Sequence, residues 1–184
     1  IALGLLIILG VALGLNSQAI AANFADLWSA SRHAAPGLAV PTVPISGTTL
    51  VVAIGMAMTG SLFSSDSWNN IGFAGEEIQN PERTLVRSMA LGTAIVTALY
   101  ILINVVYLLV LPLNGTPDAA TLAGRGIMYA TDDRVATAVA ESVLGRAGAY
   151  VMAVLIMLST FGANNGIILS GARAYFAMAK DGLF

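Results

Sequence analysis

Apolar residues occur along this chain in long uninterrupted runs, and the charged residues are clustered between them. Four windows contain no Asp, Glu, Lys or Arg: residues 1–25, 33–65, 88–117 and 147–172. A membrane-spanning helix needs about 20 mainly apolar residues. The pattern therefore predicts an all-α, polytopic membrane protein rather than a soluble protein with four apolar core helices. The predicted spans cover residues 1–15, 45–79, 88–113 and 147–172.

The second predicted span is interrupted by polar residues. Ile45–Phe63 is uncharged, and the polar stretch Ser64–Asn70 separates it from a second apolar piece, Ile71–Gly75. Ser, Asp and Asn compete with helical hydrogen bonding, and irregular backbone at membrane depth survives only inside protein or along a cavity. An interrupted membrane helix is a candidate transporter binding site. A plain loop followed by a short interfacial helix at Ile71–Gln79 fits the pattern equally well.

Polar side chains within the spans are further candidates. Asp66 is an acid at membrane depth and is either a functional group or a helix cap. In the last span, helical spacing places Ser159, Gly162 and Asn165 on one face. Two adjacent amides, Asn164 and Asn165, must face protein or a cavity rather than lipid. Helix packing and cavity lining both remain open as their role.

Smaller features predict how the helices meet. Gly10 and Gly14 form a small-xxx-small pair that would allow close helix approach, although ordinary glycine content explains them as well. Asn104 and Tyr107 lie in the middle of the third span, and we expect them to form hydrogen bonds between helices.

The connecting segments carry most of the charge. We expect a short interfacial helix at Asn23–Trp28 and two short amphipathic helices, at 118–130 and 134–145, that lie against one face of the membrane. Basic residues are denser in the short segments 79–88 and 173–184 than in the longer loops. Short basic loops mark the cytoplasmic side, so both segments are predicted to be cytoplasmic.

Composition excludes several classes of function. The chain is 57% hydrophobic and 10% charged, with a net charge of −2, so it lacks the basic surface that nucleic-acid binding requires. It contains no cysteine and a single histidine. We find no nucleophile–base pairing and no metal-ligand spacing, so the sequence does not indicate an enzyme, a metal site or a cofactor.

Two motifs resemble signatures of a known family. The first comprises FSSDSWNN at residues 63–70 and EEIQNPERTL at residues 76–85, and the second comprises FGANNG at residues 161–166 and KDG at residues 180–182. Together they resemble the sixth and eighth helices of amino acid permeases in the amino acid–polyamine–organocation superfamily, in its L-type amino acid transporter-like branch. On this resemblance we expect the chain to be part of a longer transporter, from the end of helix five to helix eight.

The resemblance implies a leucine-transporter-like fold of inverted repeats with a broken sixth helix. It implies that unwound backbone at the break binds the amino and carboxylate groups of a substrate, and that an aromatic side chain closes over it. The implied substrate-binding residues are Phe63, Ser64, Ser65, Asp66, Ser67, Trp68 and Asn69. Ser159, Gly162 and Asn165 would line the helix-eight cavity or the equivalent of an ion site. Glu76, Glu77 and Arg83 would form a cytoplasmic gate.

The implied function is transport of neutral L-amino acids by a permease or exchanger through alternating access. The implied partners are the amino acid substrate, the lipid bilayer of the plasma membrane and the remaining helices of the same transporter, whereas an accessory subunit is left open. The alternative is a non-transporting protein with a permease scaffold, such as a receptor or a truncated remnant.

Overall fold

The computed structural model describes residues 2–25, 30–33, 42–64, 70, 72–73 and 78–183 of the chain. The all-α expectation is confirmed, since helices account for most of the described residues and the strands are limited to one short antiparallel pair. The elements in chain order are α1 (Ala2–Leu13), α2 (Ser17–Phe24), β1 (Ser31–His33), β2 (Thr42–Pro44), α3 (Gly47–Ser64), α4 (Pro81–Val110), α5 (Leu122–Arg125), a 3₁₀ turn (Thr131–Asp133), α6 (Val135–Leu144) and α7 (Ala147–Lys180).

Two of the described helices, α4 and α7, are long and apolar enough to cross a membrane. A third candidate span is the pair α1–α2, whose axes are bent by 104° at a short break. The 30 residues of α4 extend about 45 Å at about 1.5 Å per residue, which exceeds a hydrocarbon core of about 30 Å. The described residues thus contain two or three candidate spans, and the fourth stays a prediction.

The hydrophobic core lies where α1 and α6 pack against the second half of α4 and against the start of α7. Leu6 of α1, Val106 of α4, Val139 of α6 and Met152 of α7 are all buried in it. We call this assembly of α1, α2, α6 and the adjoining halves of α4 and α7 the packed block. The other half of each long helix is exposed, and within the described residues the core includes no side chain of α3.

Glycines make the packed block tight. A Cβ on Gly10 would collide with the Val106 side chain, and one on Gly14 would lie 2.8 Å from Cγ2 of Val143. The structure therefore favours close helix approach as the role of this glycine pair. A glycine also permits close contact at the start of α7, because a Cβ on Gly148 would collide with the Ala140 backbone of α6.

One expectation for the connecting segments is tested only in part, and another is wrong. Of the interfacial helix expected over Asn23–Trp28, residues 26–28 lie outside the described residues, whereas Asn23 and Phe24 form the end of α2. That helix begins at Ser17, where the side chain of Asn16 caps it by accepting from the N–H groups of Gln18 and Ala19. The helix expected over 118–130 is reduced to the single turn of α5, which ends at Gly126 in the left-handed region (φ 67°).

The structure also tests the expectations for the segment 134–145 and for Asn104. The amphipathic helix expected over 134–145 is confirmed as α6. The expectation for Asn104 is wrong, because its Nδ2 donates to the carbonyl of Tyr100, one turn earlier in the same helix, at 2.8 Å. Such local bonding satisfies the donor of a polar side chain without a neighbouring helix.

Candidate substrate-binding site

The interrupted span is described up to the end of α3 and again at residues 70, 72–73 and 78–79. Phe63 and Ser64 form the last residues of that helix. The other predicted residues of the break and the acidic part of the predicted gate lie outside the described residues: Ser65, Asp66, Ser67, Trp68, Asn69, Glu76 and Glu77. Before the break, α3 exposes large apolar side chains on several sides, including Val51, Ile54 and Met56. The unwound substrate site therefore stays a prediction, with only its preceding helix described.

The predicted helix-eight residues lie together on the exposed half of α7. Ser159, Gly162 and Asn165 are all exposed. No atom lies within 4 Å of the position that a Cβ on Gly162 would occupy. One turn further on, the hydroxyl of Ser170 donates to backbone carbonyls of its own helix, including that of Gly166 at 3.0 Å. The arrangement presents a small, polar surface on which another segment or a solute could approach the helix backbone.

The predicted gate residue Arg83 is exposed in the first turn of α4. The turn starts sharply, since Asn80 adopts a left-handed conformation (φ 53°) and Pro81 occupies the first helical position. The hydroxyl of Thr84 donates to the carbonyl of Gln79 at 2.9 Å, which fixes the chain entering the helix. Arg83 therefore lies in the charged first turn of α4, next to Glu82. The negative charge of Glu82 suits the positive N-terminus of a helix.

A polar cluster that the sequence pattern did not predict lies at the opposite end of α4. The side chain of Asn23 donates to the carbonyls of Leu108 (2.7 Å) and Leu111 (2.9 Å) and accepts from the N–H of Leu113 (2.7 Å). The backbone N–H of Asn16 donates to the carbonyl of Leu109 at 3.1 Å. The sequence signal that could have indicated the start of α2, the helix that carries Asn23, is Asn16 followed by Ser17, a helix-start pattern.

The loop between α4 and α6 carries a small polar recess of about 200 Å³ beside α6. Arg125 donates to the Thr131 hydroxyl at 2.8 Å, and Arg134 forms an exposed ion pair with Asp132. An exposed pair of this kind contributes little stability. Across the described part of the chain, the acidic and histidine side chains form no group that could hold a metal ion.

A family model for amino acid permeases matches residues 1–184. The chain belongs to the amino acid permease family. The members of this family are permeases rather than enzymes, which agrees with the transporter interpretation of the sequence. Together with the apolar helices α4 and α7, membership identifies the chain as part of an integral membrane protein.

Curated relatives are similar to this permease chain over different lengths. The serine/threonine exchanger SteT of Bacillus subtilis (strain 168) is 36% identical over 126 residues, which cover 68% of this chain and 26% of that protein. The b(0,+)-type amino acid transporter 1 of Mus musculus is 29% identical over 73% of the chain and 25% of that protein. The large neutral amino acids transporter small subunit 2 of Rattus norvegicus is 26% identical over 99% of the chain and 29% of that protein.

The chain thus spans between a quarter and three tenths of the length of these relatives. The chain matches no solved structure.

Proposed function

We propose that this chain forms one part of the substrate pathway of an amino acid permease, which takes up or exchanges neutral L-amino acids across the plasma membrane. The observation that carries the proposal is the permease family match over residues 1–184. The names of the relatives support the substrate class, since one is a serine/threonine exchanger and another a large neutral amino acids transporter.

In the proposed mechanism, the chain after α3 leaves the helix and offers free backbone groups to the substrate. Free carbonyls suit an ammonium group, and free N–H groups at a helix start suit a carboxylate. Residues 65–69 supply these groups, and Phe63 closes over the bound molecule. The polar composition of Ser64–Asn70 supports this assignment, because such residues compete with the helix that would otherwise satisfy the backbone.

The exposed half of α7 provides a second wall of the proposed pathway. Ser159 and Asn165 offer polar groups, and the open space over Gly162 allows a solute to approach the backbone. Glu76, Glu77 and Arg83 act as the gate at the cytoplasmic end. Substrate drives alternating access by binding one conformation more tightly than the other, since only differential affinity shifts such an equilibrium.

The test is uptake of radiolabelled L-serine and L-leucine by the full-length permease reconstituted in lipid vesicles. We expect the wild type to transport at least one of them. Phe63→Ala should lower kcat/KM by at least about tenfold, which corresponds to about 1.4 kcal/mol of lost transition-state stabilisation. Phe73→Ala, the same change at an exposed phenylalanine beyond the break, is the matched control.

The two parts of the proposal fail separately. A folded wild-type protein that transports neither amino acid contradicts the transport function and favours a receptor with a permease scaffold. Wild-type transport that Phe63→Ala reduces no more than Phe73→Ala contradicts only the gating role of Phe63.

A further inference from the structure

The polar side chains in the apolar part of α4 lie along one line of the helix. Beyond Ser88 they are Thr93, Thr97, Tyr100, Asn104 and Tyr107. Successive members are separated alternately by four and three residues, a spacing that keeps side chains on one side of an α-helix. The first four are exposed, and we call them the polar stripe.

The polar stripe lies at the depth of the hydrocarbon core. A core of about 30 Å takes about 20 helical residues. Counted from Arg87, the last charged residue of α4, the core extends to about residue 107 and includes the whole stripe. Polar side chains at this depth face protein or water rather than lipid. The stripe therefore requires a polar neighbour.

Local hydrogen bonds do not meet this requirement. In other helices of the chain, hydroxyls donate to the carbonyl one turn earlier, at 3.0 Å for Ser170 and 3.5 Å for Thr59. The three hydroxyls of the polar stripe make no such bond within the part of the chain that the structure describes. Asn104 does bond its donor to the helix backbone, which leaves its side-chain oxygen as an acceptor.

The described helices do not supply the neighbour. The side of α4 that α1 and α6 cover carries the buried residues Ile103, Val106 and Val110, whereas the stripe lies on a different side of the helix. Only Tyr107, which continues the line of the stripe, packs against the edge of the core. The uncovered part is a groove of about 400 Å³ beside Thr97. The chain covers less than three tenths of its relatives, so further helices of the permease lie outside it.

The spacing identifies the kind of neighbour. Alternating steps of four and three residues repeat every 3.5 residues on average, which is the seam of two helices that cross at about 20°. A water-filled pathway imposes no such repeat on the residues that line it. Hydroxyl and amide side chains form hydrogen bonds between membrane helices.

We propose that the polar stripe of α4 is the docking seam for another membrane helix of the same permease, which lies outside these 184 residues and presents hydrogen-bonding side chains to it. The two helices cross at about 20° and follow each other along the stripe. The seam goes beyond the proposed function, since it concerns how the permease assembles and is measured without transport.

The test is a spin-label scan of residues 93–104 in the full-length permease, with its other cysteines replaced and the protein reconstituted in lipid vesicles. Collisions with oxygen report exposure to lipid, and collisions with a water-soluble nickel chelate report exposure to water. We expect oxygen collision rates at Thr97→Cys to be at least about threefold lower than at Ala98→Cys, with low nickel rates at both. Ala98 is the matched control, because it is exposed at the same depth on the apolar side of α4.

Each alternative neighbour gives a different result. Oxygen rates without minima at the stripe positions would place the stripe in lipid and overturn the seam. High nickel rates at the stripe would assign it to an aqueous pathway and also overturn the seam. Protection that disappears when the vesicles are diluted with lipid would assign the neighbour to a second copy of the permease, which contradicts the proposal as well.

A second variant covers the case in which the labels prevent folding. Thr97→Val removes the hydroxyl and keeps the shape of the side chain. We expect it to lower the Tm of the full-length permease in detergent by about 1–3 °C. Thr59→Val is the matched control, because its hydroxyl bonds within its own helix. Equal Tm values for the two variants would count against the seam.

Discussion

The contact between α6 and α7 depends on Gly148, and we predict that Gly148→Ala destabilises the protein. A Cβ at this position would collide with the backbone of Ala140 and would lie 2.5 Å from the backbone nitrogen of Glu141. These atoms belong to the main chain of a helix in the packed block. No side-chain rotation relieves the collision, so α7 must move away from α6.

The size of the effect follows from that movement. Ordinary contacts of a Cβ begin at 3.4 Å and the nearest atoms belong to Ala140, so the helices must separate by about 1 Å. A gap of about 0.5–1 Å forfeits a quarter to a half of each dispersion contact across the interface. Val139, which is fully buried, and Met152 lie in the same core. Overpacking costs about 1–3 kcal/mol, and the main-chain clash favours the upper end. Better helix propensity returns at most about 1 kcal/mol, so we expect a net loss of about 2 kcal/mol.

The assay is thermal unfolding of the purified full-length permease in detergent, with Gly171→Ala as control. Gly171 lies in the same helix, and no atom is within 4 Å of the Cβ position there. The control should keep or slightly raise the unfolding temperature through its better helix propensity, whereas Gly148→Ala should lower it. If Gly148→Ala is as stable as Gly171→Ala, the close contact between α6 and α7 is wrong.

Two further predictions address the core and the topology. Val139→Ala should lower the unfolding free energy by about 1.5–3 kcal/mol, because buried methyl groups are lost and a cavity remains. Val154→Ala, at a half-exposed position, should change the unfolding free energy by less than about 0.5 kcal/mol. Equal effects of the two substitutions would contradict the core assignment. Cysteines introduced at Gln79 and Asn114, on either side of α4, should react with a membrane-impermeant maleimide from the cytoplasm and from outside respectively, and labelling of both from one side would refute α4 as a span.

The long elements were predictable because their signal is local. A window without charges indicates a membrane helix by composition alone, and the structure places α4 and α7 over two of these windows. Even the start of α4 is marked in the sequence, since Pro81 suits the first helical position and terminates the preceding segment. The predicted span starts later, at residue 88, because hydropathy omits the charged residues at the start of α4, which end at Arg87.

The hydrogen bonds between Asn23 and the C-terminal end of α4 were not predictable in the same way. Asn23 lies 85 residues before Leu108 and 90 residues before Leu113 in the sequence, and no periodic pattern links an amide to carbonyls at that distance. Asn104 shows the converse error. A polar residue inside an apolar span indicated a neighbouring helix, but the carbonyl of Tyr100 one turn earlier satisfies its donor. The predicted substrate site depends on residues 65–69, whose backbone lies outside the described residues.

The exposed apolar and the exposed polar residues of α7 differ in what their exposure means. Exposed apolar side chains such as Ile156 and Ile168 need no protein partner in a membrane, because lipid is as apolar as they are. An exposed amide such as Asn165 has no such option and requires a polar contact or water. Mean hydropathy averages the two kinds of residue and treats the helix as uniform. We therefore expect the rest of the permease or its substrate to contact this chain at the exposed polar positions rather than at the exposed apolar ones. Of the predicted site residues whose side chains are described, Ser159 and Asn165 are the polar groups on this face.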